Sequence, residues 1–335
     1  MPNDNGQNNA KLPKILVILG PTASGKTGMS LALAKKYHGE IVNADSRQVY
    51  RWMDIGTAKP NGEWVAVDSH SAVAQGRLSA ALRSAQNDSG KVYMVDGVLH
   101  HLMDIVDPDA NFTLADFKEK AIKAIDDILH REKLPIIVGG TGLYIQSIVD
   151  NLEIPKIAPN NELRAELEKK TLDEQVAMLK KIDPESVETI DIKNPRRVLR
   201  ALEVTIASGE SFAKQQKKGV LLYDALQIGI EWPREELYER INARVDAQMA
   251  DGLLEETKVL SAKYDWFLPS MSGIGYKQMG YFLRGEMSLS EAIEILKRDT
   301  RRYSKRQMTW FKRDSRIVWV KNIADAEKEI KKFIK

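Results

Sequence analysis

The 335-residue chain contains no cysteine. Its absence excludes disulfides, a thiol nucleophile and any zinc site built on thiolates. No apolar run approaches the roughly 18 residues that a membrane-spanning helix needs. Residues Met1–Leu12 are polar, with several Asn and Gly, and lack the apolar centre of a signal peptide. A cytoplasmic protein with no membrane attachment is therefore expected. Excess charge of one sign is small as well: the net charge is +3, too little by itself to argue for nucleic acid. Repeats and low-complexity tracts are also missing. What remains is an ordinary globular composition, 43% hydrophobic and 29% charged, with length for about two domains.

The strongest local signal is Gly20-Pro21-Thr22-Ala23-Ser24-Gly25-Lys26-Thr27, which fits G-x-x-x-x-G-K-[ST]. Before it, Lys14–Leu19 is apolar and rich in β-branched residues, as in a buried parallel strand. After it, Met29, Leu31, Leu33 and Ala34 follow a helical pattern to about Tyr37. Strand, glycine loop and helix are the context in which this motif binds phosphate. The glycines let backbone N–H groups converge on phosphate oxygens, and the helix adds its positive end. Lys26 supplies a charge and Thr27 a hydroxyl for Mg²⁺. The loop alone leaves open whether the ligand is a nucleoside triphosphate such as ATP or another diphosphate.

Further along, Glu40–Ala44 reads as a second strand, with Asp45-Ser46-Arg47-Gln48 at its carboxyl end. Ligands gather beyond such strand ends in open α/β sheets, so Asp45 is placed either to act on the bound ligand or to cap a following helix. Residues 61–95 change character and read as a surface insertion, with a short helix at Arg77–Ala85 and a partial hairpin with Val92–Val95. His100-His101 followed by Asp104 invites a metal reading. Neighbours on a strand point to opposite faces, which favours a structural or substrate-contacting histidine instead. Thr113 with Asp116 marks a capping box for a helix running to His130. Leu134–Val138 is another buried strand, and Gly139–Tyr144 a second glycine turn.

From Asp150 to about Gly219 the pattern is helical and charged, with segments at 161–170, 172–181 and 195–208. Arg196, Arg197 and Arg200 begin the last of these and are either solvated or directed at phosphate. The sheet pattern returns at Leu226–Glu231. A helix opening at Pro233 then carries Leu237, Ile241, Val245 and Met249 on one face, with Arg234, Arg240 and Arg244 elsewhere. A tight turn at Gly273–Tyr276 precedes the long helix Ser288–Lys312. Between Lys297 and Arg316 nine basic residues meet only Asp299 and Asp314, the footprint expected of a phosphate-backbone contact. The fold expected is α/β: a P-loop NTPase-like parallel sheet flanked by helices. Residues 13–150 and 220–322 would form it, with a helical insert at 151–219, a disordered tail at 1–12 and a C-terminal helix at 323–335.

These motifs together resemble the bacterial tRNA dimethylallyltransferases, also called tRNA isopentenyl transferases, along nearly the whole chain. The resemblance is carried by Gly20–Thr27, Asn43–Tyr50, Asp54–Pro60, His100–Pro108, Gly139–Tyr144, Arg197 with Arg200–Val204, Gly273–Lys277, Lys305-Arg306-Gln307 and Thr309-Trp310. The Asn43–Tyr50 octet and the Gly56–Pro60 loop separate this family from generic phosphate-loop kinases. The resemblance implies transfer of a dimethylallyl group from dimethylallyl diphosphate to the exocyclic amine of the adenosine 3′ of a tRNA anticodon. Gly20, Thr22, Ala23, Ser24, Gly25, Lys26 and Thr27 would hold the diphosphate, with Thr27 on Mg²⁺. Asp45 would be the general base, Thr141 would lie near the target base, and Arg244 would face the diphosphate. It further implies tRNA contacts at Asp45, Ser46, Arg47, Gln48, Thr141, Arg164, Arg196, Arg197, Arg200, Gly275, Tyr276, Lys305, Arg306 and Gln307. The helical insert would clasp the anticodon stem, and the adenine would leave its stack. A monomer is expected.

The family usually passes almost directly from the Lys59-Pro60 loop to the His100-His101 strand, so residues 61–95 depart from it. Three other readings compete. A small-metabolite kinase would use ATP and a lid such as Arg196–Arg200. An isopentenyltransferase of free adenine nucleotides would share the chemistry but have no use for the helical insert or the basic helix. A non-catalytic RNA-binding module would not need Lys26-Thr27 with Asp45.

Overall fold

A computed structural model describes residues 11–66, 90–155, 157, 160–215 and 217–335. The expected N-terminal tail up to residue 10 and the expected helix at Arg77–Ala85 lie outside the described residues. Eight strands form one sheet among those described: β1 (Lys14–Leu19), β2 (Gly39–Asn43), β3 (Glu63–Ala66), β4 (Lys91–Val95), β5 (Val98–His101), β6 (Leu134–Gly139), β7 (Asp224–Ile230) and β8 (Val318–Val320). Their order is β3-β4-β5-β2-β6-β1-β7-β8. From β5 to β8 every pairing is parallel. β4 runs antiparallel to both β3 and β5, so the sheet is mixed where a parallel one was expected. The reversal follows from the Asp96-Gly97 turn, both residues at positive φ, which folds β4 back on β5 as a tight hairpin. β3 then pairs with β4 and extends the sheet at its edge.

β1 lies inside the sheet between β6 and β7, and Ile15–Leu19 are 0–1% exposed. Burial on both faces is why this strand reads as an unbroken apolar run. Helix α1 (Lys26–Tyr37) covers one face through Leu33 and Ala34. On α2 (Leu114–His130), Thr113 accepts the Asp116 N–H while the Asp116 carboxylate accepts the Thr113 N–H. The short α3 (Gly142–Val149) follows β6.

The chain divides into two compact units, residues 149–221 and the remainder. The smaller holds α4 (Asn161–Glu168), α5 (Leu172–Ile182), α6 (Pro184–Thr189), α7 (Pro195–Ser208) and α8 (Phe212–Gln215) around Leu167, Leu179, Val198, Leu202 and Phe212. Buried Asp183 ties it together, accepting from the N–H groups of Ser186 and Phe212 and the hydroxyls of Thr205 and Ser211.

In the larger unit, α9 (Arg234–Ala250), α10 (Leu253–Ser261), α11 (Tyr276–Leu283) and α12 (Leu289–Phe311) build a second core with Val49, Tyr50 and Met53. Terminal α13 (Ile323–Ile334) packs Ala326 and Ile330 against the β-sheet core. Among the described residues no helix is long and apolar enough to cross a membrane.

Candidate active site at the strand ends

The loop after β1 is bound back on itself. Gly25 has φ 91°, and Ala23, though not glycine, has φ 63°. Both residues sit in the left-handed region that a curled loop requires. Lys26 Nζ donates to Pro21 O at 2.7 Å, so its ammonium folds over the loop. Burial lowers the Lys26 pKa to about 8; the Asp45 carboxylate opposes the shift and Arg244 adds to it. Lys26, Asp45 and Arg244 therefore share one electrostatic environment. Burial also lowers the pKa of Arg244, helped by Arg240. Ser24 Oγ is buried without a partner. Thr27 is exposed at the first turn of α1.

Two residues that the sequence reading did not assign hold this loop from outside. Trp232 Nε1 donates to Ser24 O at 2.9 Å, and Arg240 Nε donates to Ala23 O at 2.9 Å. The Arg240 guanidinium lies 4.2 Å over the Trp232 ring. The only signal in the sequence was the spacing of Arg240 and Arg244, one turn apart on α9.

At the end of β2, Asn43 Oδ1 accepts the Asp45 N–H at 3.1 Å and Asp45 Oδ1 accepts the Arg47 N–H at 2.9 Å. Turns, not a helix, follow Asp45, so its carboxylate closes an Asx turn and the helix-cap reading is set aside. Ser46 N–H donates to Thr141 Oγ1 at 3.0 Å, and Thr141 N–H to Ala44 O at 3.3 Å. A side chain at Gly139 would overlap the Ala44 carbonyl, which is why the turns after β2 and β6 can lie edge to edge. Tyr303 lies beside Thr141; burial, with Asp45 nearby, raises its pKa and keeps it neutral.

The residues expected against tRNA separate into three groups. Arg47, Gln48 and Tyr276 brace the surrounding loops. Arg47 donates to Pro269 O, and Gln48 Nε2 to Thr57 O and Ala58 O at 3.2 Å each. Tyr276 is 1% exposed and donates to Glu256 Oε1 at 2.7 Å. Glu256 also accepts the N–H groups of Asp54, Ile55 and Gly56 at 2.8–3.0 Å. Gly275, at φ 104°, opens α11.

Gln307 is buried and spans Thr22 N and Gly140 O, so its side chain is held by the two loops. Arg164 and Arg200 are spent on fully buried Glu203, with nitrogen–oxygen distances of 2.6–2.9 Å. Leaving such a carboxylate unpaired would be costly, which gives both arginines a job inside the helical unit. Arg196, Arg197, Lys305 and Arg306 remain exposed.

Part of the basic run is also neutralised internally. Lys297 pairs with Asp246 at 2.7 Å, Arg298 and Arg302 approach Asp299, and Arg316 pairs with Asp314. Both histidines of the pair are buried in the sheet. His101 Nε2 lies 2.8 Å from Glu40 Oε2, and His100 Nδ1 3.0 Å from Val98 O. Burial lowers the His100 pKa to about 4. Among the described residues no three His, Cys, Asp or Glu groups come together as a metal cage.

Comparison with known proteins gives a uniform result. A profile for IPP transferase matches residues 90–314 and one for isopentenyl transferase residues 13–91. A tRNA dimethylallyltransferase of Acetivibrio thermocellus is 42% identical, covering 97% of each chain. One of Bacillus thuringiensis is 41% identical over 99% of this chain and 96% of its own. Among solved structures, the tRNA isopentenylpyrophosphate transferase of Bacillus halodurans superposes with TM-score 0.64 at 37% identity, covering 96% and 95% of the two chains. A eukaryotic dimethylallyltransferase acting on tRNA gives TM-score 0.71 at 28% identity, covering 93% of this chain and 75% of that one.

Proposed function

Because the chain belongs to the IPP transferase family, we propose that it transfers a dimethylallyl group from dimethylallyl diphosphate to N6 of the adenosine 3′ of the anticodon in tRNA. The observation that carries this reading is that Asp45, at the end of β2, and Arg244, on α9, both act electrostatically on Lys26 in the loop after β1. One strand end offers groups for a diphosphate and the next offers a carboxylate for an attacking amine.

The amine nitrogen forms a bond to C1 of the dimethylallyl group while the bond from C1 to the diphosphate oxygen breaks. Asp45 accepts the amine proton, and pyrophosphate leaves toward Lys26 and Arg244, whose charges stabilise what accumulates on it. An aromatic amine is a weak nucleophile, so holding it in line matters more than the strength of the base. The link from Ser46 N–H to Thr141 Oγ1 fixes the two turns between which the adenine would enter.

Mg²⁺ fits this donor set. Thr27 offers one exposed hard oxygen, and Mg²⁺ commonly takes one or two protein oxygens together with substrate phosphates. When bound it supplies countercharge to the diphosphate. Arg196, Arg197, Lys305 and Arg306 are the exposed cations offered to RNA phosphates, in a cytoplasmic monomer.

The test is prenyl transfer with Mg²⁺, dimethylallyl diphosphate and unmodified tRNA, followed by mass spectrometry of the nucleoside beside the anticodon. A dimethylallyl adduct there, dependent on the diphosphate, is expected. Transfer to free AMP instead, or phosphate transfer from ATP, would overturn the reading of the acceptor.

A further inference from the structure

The two sides of α12 meet different surroundings. Lys305 and Arg306 are exposed. Residues 303, 307 and 310, spaced four and three apart on one helical stripe, meet the glycine turns. Tyr303 lies beside Thr141, and Trp310 lies against Gly142, where any added side chain would overlap its indole. Between them Gln307, 6% exposed, accepts the Thr22 N–H through Oε1 at 2.8 Å and donates through Nε2 to Gly140 O at 2.9 Å. One amide thus fastens the first glycine loop to the second. The approach is close enough that a side chain at Gly140 would collide with it.

We propose that Gln307 is a positioning residue that holds the phosphate loop in its diphosphate-binding shape and makes that shape depend on α12. RNA bound on the outer side of α12 and diphosphate bound in the loop then strengthen one another. The inference rests on the tRNA reading above. Thr22 N–H belongs to the loop expected to cradle phosphate, yet it is already occupied by Gln307; its bond shapes the loop and leaves the other donors to the ligand. A side-chain amide carries an acceptor and a donor on one planar group, and so satisfies both an N–H and a carbonyl. Steadying α12 from outside steadies Gln307, so ordering that one ligand brings about is ordering the other need not repeat. Such coupling is reciprocal for binding affinities.

The whole protein is titrated with inorganic pyrophosphate, with and without an unmodified tRNA anticodon stem–loop, as wild type and as two variants. Wild type is expected to bind pyrophosphate several-fold more tightly when the RNA is present. Gln307→Met fills the space without either hydrogen bond. It should weaken pyrophosphate by about tenfold or more, through loss of both hydrogen bonds. RNA affinity should stay within about twofold, and the dependence on RNA should disappear.

Gln307→Glu reports on the donor. A protonated carboxylic acid can donate to Gly140 O while accepting from Thr22 N–H; a carboxylate cannot. Its affinity relative to wild type at the same pH should therefore recover as pH falls from about 8 to 6, which lost packing would not produce. Wild-type pyrophosphate affinity in Gln307→Met, a flat pH ratio in Gln307→Glu, or a wild type indifferent to bound RNA would overturn the proposal. A wild type that binds no RNA would overturn the tRNA reading and the coupling with it, leaving Gln307→Met to decide the role in the loop.

Discussion

Removing the Glu256 carboxylate should loosen the loop from Asp54 to Pro60 and lower both thermal stability and RNA affinity. The carboxylate, in the first turn of α10, accepts three consecutive backbone N–H groups and the phenol of Tyr276. In Glu256→Ala, water can reach the amide of exposed Asp54. The half-buried amides of Ile55 and Gly56 and the buried Tyr276 hydroxyl lose their acceptor in places water reaches poorly. At about 1 kcal/mol for each of these three, the loss is roughly 3 kcal/mol. For a domain of this size that corresponds to a fall in Tm of about 6–12 °C. Tyr276→Phe gives up one bond and keeps the ring that packs against Gly56, so its loss should be near 1 kcal/mol, a third of the larger effect. Because Gln48 grips Thr57 O and Ala58 O, the freed loop should also weaken binding of the anticodon stem–loop while pyrophosphate affinity holds. Scanning calorimetry with RNA and pyrophosphate titrations would test this. A Glu256→Ala protein melting within about 2 °C of wild type would refute the reasoning, because it would mean that the Ile55 and Gly56 amides and the Tyr276 hydroxyl are satisfied without the carboxylate.

Other consequences can be checked alongside. Lys26 must be protonated to bind diphosphate, and its pKa in the free protein is lowered to about 8. Diphosphate affinity should thus be steady below pH 8 and fall about tenfold by pH 9; calorimetry showing no fall would remove Lys26 from the ligand. Because the lowered pKa disfavours the charged form in the folded state, the same group should add stability to the free protein as pH rises from about 8 toward the ordinary lysine range. Asp45→Ala should cut turnover by about a hundredfold or more with pyrophosphate binding intact; unchanged single-turnover rates would exclude it as the base. Replacing both Lys305 and Arg306 by Ala should weaken RNA binding and flatten its dependence on salt, and an unaltered salt slope would reduce them to solvated surface.

What could be read in the sequence was whatever a short segment states about itself. β1 and α1 declared themselves by an apolar run, a glycine loop and a helical period. The Thr113–Asp116 cap and the Pro233 start were equally local, and both lie where expected. The turn at Asp45 lies at the carboxyl end of β2, where the apolar run before it placed it. Gln307 to Thr22 spans 285 residues, and Glu256 to the 54–56 amides about 200. Side chain to backbone contacts at such range leave no period or spacing behind. Arg164 and Arg200 looked like surface cations because nothing near them in the chain marks Glu203 as fully buried. A pairing partner for Val92–Val95 was expected and β3 supplies it, but its bounds could not be read: its residues are exposed or half-buried, and a short edge strand has no apolar alternation to mark them.

That edge has a consequence for how the chain tolerates change. Ala66 at the end of β3 stands opposite Lys91 at the start of β4, on one rung of the antiparallel ladder. Ala66 and Lys91 therefore stand side by side, on the far side of β5 from β2, β6 and β1. A change in the number of residues between two positions that already stand side by side need not alter the distances among Lys26, Asp45 and Thr141, which lie beyond the ends of other strands.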